Sequence, residues 1–234
     1  MRHRRDAPWI EQSWEHLLFA HWPVPAAALR PHVPARLPLD LHDGCAWIGL
    51  VAFLMRRTRL ASALPPRGLA PIPELNVRTY VTYRGSPGIW FLSLDARSRP
   101  TVLGGRSVFH LPYHHADMAA RRNGDTVVYR SRRAGGGPPA AFEATYRATG
   151  PVTIPPAASF DRWATQRLRL FAGDRRGRIW RTEIEHAPWP LQPAEATLDA
   201  RSLFASHGLL QPDVDPILHF AARLDVRGWP PVRG

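Results

Sequence analysis

The chain has 234 residues, 44% hydrophobic and 21% charged, a balance that lets a globular protein close an apolar core without metal or disulfide staples. Its net charge of +12 comes from 31 basic side chains, every one an arginine, and its single cysteine excludes a disulfide framework or a multi-cysteine metal site. No apolar run approaches the ~18 residues of a membrane span, and no signal-type apolar stretch follows the basic start Met1-Arg-His-Arg-Arg5, so a cytoplasmic protein is expected.

Read from the N-terminus, residues 1–12 look like a flexible basic start. Residues 25–30 read as a short helix with proline at its beginning. The run Ala46-Trp-Ile-Gly-Leu-Val-Ala-Phe-Leu54 is nearly all apolar, as a strand buried on both faces would be. Cys45 beside it is expected to be a small buried hydrophobe. Residues 75–83 alternate as a strand, and 89–94 form another after the turn signal Gly85-Ser-Pro-Gly88. Residues 126–131 and 142–148 can pair as a hairpin across Ala134-Gly-Gly-Gly-Pro-Pro139. A helix is expected over 160–171, with Asp161 in its first turn. Strands follow at 179–186 and 219–226, separated by a helix at 200–206 that Gly208 closes. The sum is one mainly β (α+β) domain over residues 1–234, antiparallel, with two or three short helices.

The polar residues concentrate between Pro73 and Asp117. Glu74, Asn76 and Arg78 occupy alternate positions of one strand and share a face. They can be solvated decoration opposite a core face of Leu75, Val77 and Thr79, or they can line a polar cavity and orient an acid. The second element is Gly104-Gly-Arg-Ser-Val-Phe-His-Leu-Pro-Tyr-His-His-Ala-Asp117. Pro112 forbids a helix through His110 and His114, so their spacing is not the zinc-binding helix signature, and no metal is expected. A histidine here can serve as acid or base, because its ordinary pKa lies near neutrality, or can simply pack against aromatic neighbours. No GxSxG, P-loop or GxGxxG occurs, and no cofactor is expected. The arginines are scattered in ones and twos, as at Arg121-Arg122 and Arg175-Arg176, without a recognition motif, so nucleic acid is not the expected partner.

Six stretches together resemble the YqjF-like family of bacterial proteins of unknown function: Leu18-Phe-Ala-His-Trp-Pro-Val24, Asp43-Gly-Cys-Ala-Trp-Ile-Gly49, Pro73-Glu-Leu-Asn-Val-Arg-Thr-Tyr-Val81, Trp90-Phe-Leu-Ser-Leu-Asp95, Leu111-Pro-Tyr113 and His186-Ala-Pro-Trp-Pro-Leu191. That family is in turn similar to the acetoacetate decarboxylase-like superfamily. Ala28-Leu-Arg-Pro-His-Val-Pro34 resembles the decarboxylases' early helix and proline turn, and Gly105-Arg106 followed by Pro112 resembles their Gly-Arg pair before Pro-Lys-Lys. The resemblance implies antiparallel sheets curled into a cone or barrel around a central polar cavity, often in homo-oligomers. It places the superfamily's Schiff-base lysine and its pKa-lowering neighbour at Tyr113 and His114, and its site glutamate at Glu74.

With no lysine in the chain, side-chain imine chemistry is closed, since an arginine guanidinium cannot stand in for an amine. The expected function is a cavity for a small anionic or carbonyl-bearing molecule. Glu74, Tyr113 and His114 would be its acid–base groups, and Asn76, Arg78, Arg106 and His110 its binding groups. Such a site could serve a lyase, hydratase or isomerase that works without an imine. A non-catalytic ligand-binding or sensory module is the alternative, and a basic nucleic-acid-associated protein a further one.

Overall fold

The computed structural model describes residues 7–60, 71–135 and 137–234, with the backbone alone at Leu60. Among these residues the chain forms twelve strands and four short α-helices. The strands are β1 (Ile10–Val24), β2 (Ala46–Leu60), β3 (Ile72–Tyr83), β4 (Ser86–Ala96), β5 (Tyr113–Asn123), β6 (Thr126–Arg133), β7 (Ala141–Ala148), β8 (Arg169–Gly173), β9 (Ile179–His186), β10 (Gln192–Asp199), β11 (Ile217–Gly228) and β12 (Val232–Arg233). The helices are α1 (Ala26–Leu29), α2 (Arg99–Ser107), α3 (Phe160–Thr165) and α4 (Arg201–Ala205), with a 3-10 turn at Arg30–His32.

The strands close into two rings that share one wall. The common wall runs β4-β3-β2-β1-β11, and β8 and β9 complete a seven-strand small ring through the β4–β8 and β9–β11 pairings. On the other side β10, β7, β6 and β5 complete a nine-strand large ring through β10–β11 and β4–β5. Two closed rings leave few unpaired edges. The wall separates two interiors, so its strands are buried on both faces and read as continuous apolar runs. Leu50, Ala52, Leu75 and Val77 face the large ring with Tyr129, Phe142 and Tyr146. Val51, Phe53 and Met55 face the small ring with Leu17, Phe19 and Trp189.

Most pairings are antiparallel, as expected, but both seams on the outer edge of β4 are parallel. Ile89–Trp90 pair with Leu170–Phe171 of β8, and Leu94–Ala96 pair with Tyr113–His115 of β5. The expected hairpin forms between β6 and β7.

Several local expectations are corrected. Ile10, Glu11 and Gln12, assigned to a flexible start, already pair with Gly228, Arg227 and Val226; residues 1–6 of that start lie outside the described residues. The helix expected over 160–171 ends at Thr165, and the chain turns extended into β8 by Arg169. Cys45 is exposed, because it closes the turn His42–Cys45, whose Asp43 and Gly44 both take positive φ. A helix not expected from the sequence, α2, starts where the Ser98 side chain accepts the Thr101 N–H, with Pro100 in its first turn.

Candidate functional site

Glu74, Asn76 and Arg78 do share a face of β3, and that face is not solvated: they are 4%, 6% and 7% exposed, inside the small ring. The β5 register carries Tyr113 onto the same side. Its hydroxyl donates to Glu74 Oε2 at 2.9 Å. Gly105 of α2 makes room for this, since a Cβ there would lie 2.2 Å from the Tyr113 ring. Tyr129 fixes the backbone of the same residue from the large-ring side, donating to the Glu74 carbonyl at 2.7 Å.

Burial raises the Glu74 pKa from 4.5 to about 7, and the hydrogen bonds from Tyr113 and Asn76 only partly oppose it. Burial first, then the neighbouring carboxylate, pushes Tyr113 well above its ordinary value. At neutral pH the pair is therefore a carboxyl poised between its two forms and a phenol that stays protonated.

Two steps along the strand, Arg78 donates to the Ala164 carbonyl at 3.2 Å and lies over the rings of Phe19 and Tyr80. It has no carboxylate partner among the described residues. Several buried polar atoms here have no hydrogen-bond partner among the described residues: Asn76 Oδ1, Arg78 Nε, the Tyr80 hydroxyl, Arg167 Nη2 and both ring nitrogens of His21. His21 sits fully buried across β2 from Arg78. Burial, and then Arg78 and His219, drive its pKa well down, so it is a neutral imidazole. Gly49 leaves the space between these groups: a Cβ there would come to 3.1 Å from both His21 Nε2 and the Tyr80 hydroxyl.

The helix α3 covers this end of the small ring. Ala164 receives Arg78, Phe160 meets the His21 ring edge-on at 5.6 Å, and Trp163 packs tilted against Tyr80 at 4.4 Å. Asp161 reaches His219 Nε2 at 3.3 Å. Arg167, just past the helix, pairs with Asp40 and lies over Tyr80 and Trp163.

Three sequence candidates fall elsewhere. His114 points to the opposite face of the sheet from Tyr113, because neighbours on one strand alternate. It pairs in register with Asp95, and burial with Arg133 and Arg106 nearby lowers its pKa to about 4. His115, two residues after Tyr113, takes the Tyr113 side. Arg106 is exposed and uses its Nε to hold the Tyr113 carbonyl at 2.6 Å. His110, at a positive φ of 56°, lies against Trp180 at 4.9 Å, outside the small ring.

Conversely, His21, Tyr80 and Arg167 went unsuspected. Tyr80 is the next step of the Glu74-Asn76-Arg78 alternation, and His21 lies in the quoted stretch Leu18–Val24. No group of three or more metal-ligating side chains gathers among the described residues, and no described helix is long and apolar enough to cross a membrane.

The double-ring β architecture is an acetoacetate decarboxylase-like fold. Solved structures with this fold include the enduracididine biosynthesis enzyme MppR complexed with pyruvate, at a TM-score of 0.66 and 13% identity over 99% of this chain and 92% of that one. An acetoacetate decarboxylase from Legionella pneumophila matches at a TM-score of 0.64 and 14% identity, over 100% and 92% of the two chains. At these identities the likeness is one of fold. The chain itself belongs to DUF2071, a family described as an uncharacterised conserved protein, which it matches over residues 11–225. It is 45% identical to the uncharacterised protein YqjF of Bacillus subtilis (strain 168) over 231 residues, 96% of this chain and 93% of that one.

Proposed function

We propose that the small ring binds a short carboxylate bearing a carbonyl group and moves a proton at the carbon beside that carbonyl. The observation that carries this reading is the buried Arg78, a cation with unpartnered polar atoms around it, on the same strand face as the Glu74–Tyr113 pair. An unpaired buried charge costs several kcal/mol, and an anionic ligand would remove that cost. Asn76 stands between the two, roughly 7 Å of strand from each, so a short oxo acid fits the span.

In this mechanism Arg78 holds the carboxylate. The C–H bond beside the carbonyl breaks, its proton passes to Glu74, and the electron pair moves onto the carbonyl oxygen. That oxygen is stabilised by hydrogen bonds from neutral donors such as the Tyr80 hydroxyl or His21. Tyr113 holds the Glu74 carboxyl through Oε2, and Asn76 adds a second side-chain hydrogen bond to it. The lysine imine used by the superfamily is absent from this scheme because the chain has no lysine. Ligand entry requires α3 to lift from the ring.

Proton nuclear magnetic resonance in D2O tests the proposal, with pyruvate and acetoacetate as probes. The wild-type protein should speed deuterium incorporation beside the carbonyl, and Glu74→Gln should return it to the uncatalysed rate. Ligand-induced thermal stabilisation without any exchange would instead select the non-catalytic binding module, and no response to either probe would refute both.

A further inference from the structure

Outside the small ring, the fold builds a second cavity where β4 changes partners. β8 pairs with β4 through Trp90 and β5 takes over from Leu94, so Phe91, Leu92 and Ser93 lie between the two seams. Leu92 is also the extra residue of a bulge against β3, where Val77 pairs Ser93 and Arg78 pairs Phe91. The cleft in this fork holds about 240 Å³ and is walled by Trp90, Phe91, Phe171, His32, His110 and His207. Past His110 and Gly173, which line both spaces, it runs into a wider groove of about 850 Å³ that carries Arg106, Arg175, Arg176 and Arg178. None of Glu74, Asn76, Arg78 or Tyr113 lines either space.

The two parts offer different chemistry. The cleft presents aromatic rings and imidazoles. Trp90 is fixed by donating from Nε1 to the His32 carbonyl at 2.9 Å, and a Cβ on Gly173 would come within 3.2 Å of its ring. His207 Nε2 lies 3.0 Å from Ser93 Oγ. Burial, then Arg133, His32 and His114, lower the His207 pKa to about 4, so its imidazole is neutral and can donate or accept.

The groove presents cations. Its one carboxylate, Asp174, is taken by Arg178 at 2.6 Å and by the backbone N–H groups of Arg176 and Arg178. Arg106 spends only its Nε on the Tyr113 carbonyl. Arg106, Arg175 and Arg176 have no acidic partner among the described residues.

We propose that cleft and groove form a second binding site, for a nucleotide-type ligand whose planar heteroaromatic ring enters the cleft and whose phosphate lies on the arginines. A ring is the shape an aromatic slot holds, by stacking on faces and offering nitrogens to the neutral His207 imidazole. Phosphate is the group that paired guanidinium forks match in charge and geometry. An apolar ring alone would leave the arginines unused, and an inorganic anion would leave the cleft unused.

The test is titration of the full chain with AMP, GMP, CMP and UMP, alongside their nucleosides and inorganic phosphate, followed by calorimetry and by tryptophan fluorescence. At least one nucleotide should bind ~10-fold or more tightly than its nucleoside and than phosphate. The double variant Arg175→Ala/Arg176→Ala, altered only at exposed side chains, should lose that advantage and leave nucleoside binding unchanged. Nucleotides that bind no more tightly than phosphate, or binding unaffected by the double variant, would overturn the proposal. Glu74→Gln should keep nucleotide binding intact, so this result stands apart from the chemistry proposed for the small ring.

Discussion

On the large-ring face of the shared wall, Asp95 meets Arg133 at 2.8 Å with both side chains almost wholly buried. On the small-ring face, Arg78 is as deeply buried and meets a backbone carbonyl and two aromatic rings, with no carboxylate partner among the described residues. The first arrangement pairs its two charges within the chain. Arg133 Nε also donates to Asp95, and Nη1 reaches Ser206. The pair ties β4 to β6 and to the residue after α4, and needs nothing from outside. The second has no carboxylate among the described residues, and the proposed anion would supply the missing charge. On the proposed reading the contrast separates charge that builds a fold from charge that awaits a ligand, although both lie on neighbouring strands of one sheet.

Mutation should make the difference visible. Asp95→Ala leaves Arg133 buried without its carboxylate, and should cost ~3–5 kcal/mol of stability in urea denaturation. The next effect is a pH dependence. The Glu74 pKa is raised in the folded protein, from 4.5 to about 7, so the folded state binds the proton more tightly than the unfolded chain does. Stability from this group is full below its ordinary value and is lost as pH rises through about 7, ~3 kcal/mol in all. The stability difference between wild type and Glu74→Gln should therefore shift by that amount between pH 4 and pH 8, to the disadvantage of the wild type at the higher pH. The smallest effect is expected at Arg78→Met, which removes an unpaired buried cation together with one hydrogen bond and should change stability by less than ~1 kcal/mol. A loss at Arg78→Met as large as that at Asp95→Ala would place both arginines in the structural class.

The sequence made this contrast only half visible. Period-two alternation placed Glu74, Asn76 and Arg78 on one face, and the apolar run at the start of β2 announced a strand with two buried sides. What local patterns cannot show is which of two interiors a face meets, because that depends on how distant strands close the rings. The same limit explains His114. Resemblance put it beside Tyr113 as a working partner, but adjacent residues of a strand face opposite ways, so His114 belongs with Asp95 on the large-ring side.

Other elements were masked by their own composition. β1 breaks its alternation at His16, which takes a φ of 54° and shifts the register against β2. β10 holds a proline, two alanines and one glutamate and reads poorly as a strand, and the paired glycines of α2 disguise its helical character. His21 lies in the Leu18–Val24 stretch that carries the family resemblance, though nothing in that stretch assigned it to the site, and Arg167 comes from the segment after α3, outside the quoted stretches.

The most direct test of the small ring as an anion site is calorimetric titration of pyruvate into wild type and Arg78→Met at equal protein stability. The account predicts saturable binding to the wild type that weakens at least ~10-fold in the variant. Binding of equal strength to both proteins would contradict it.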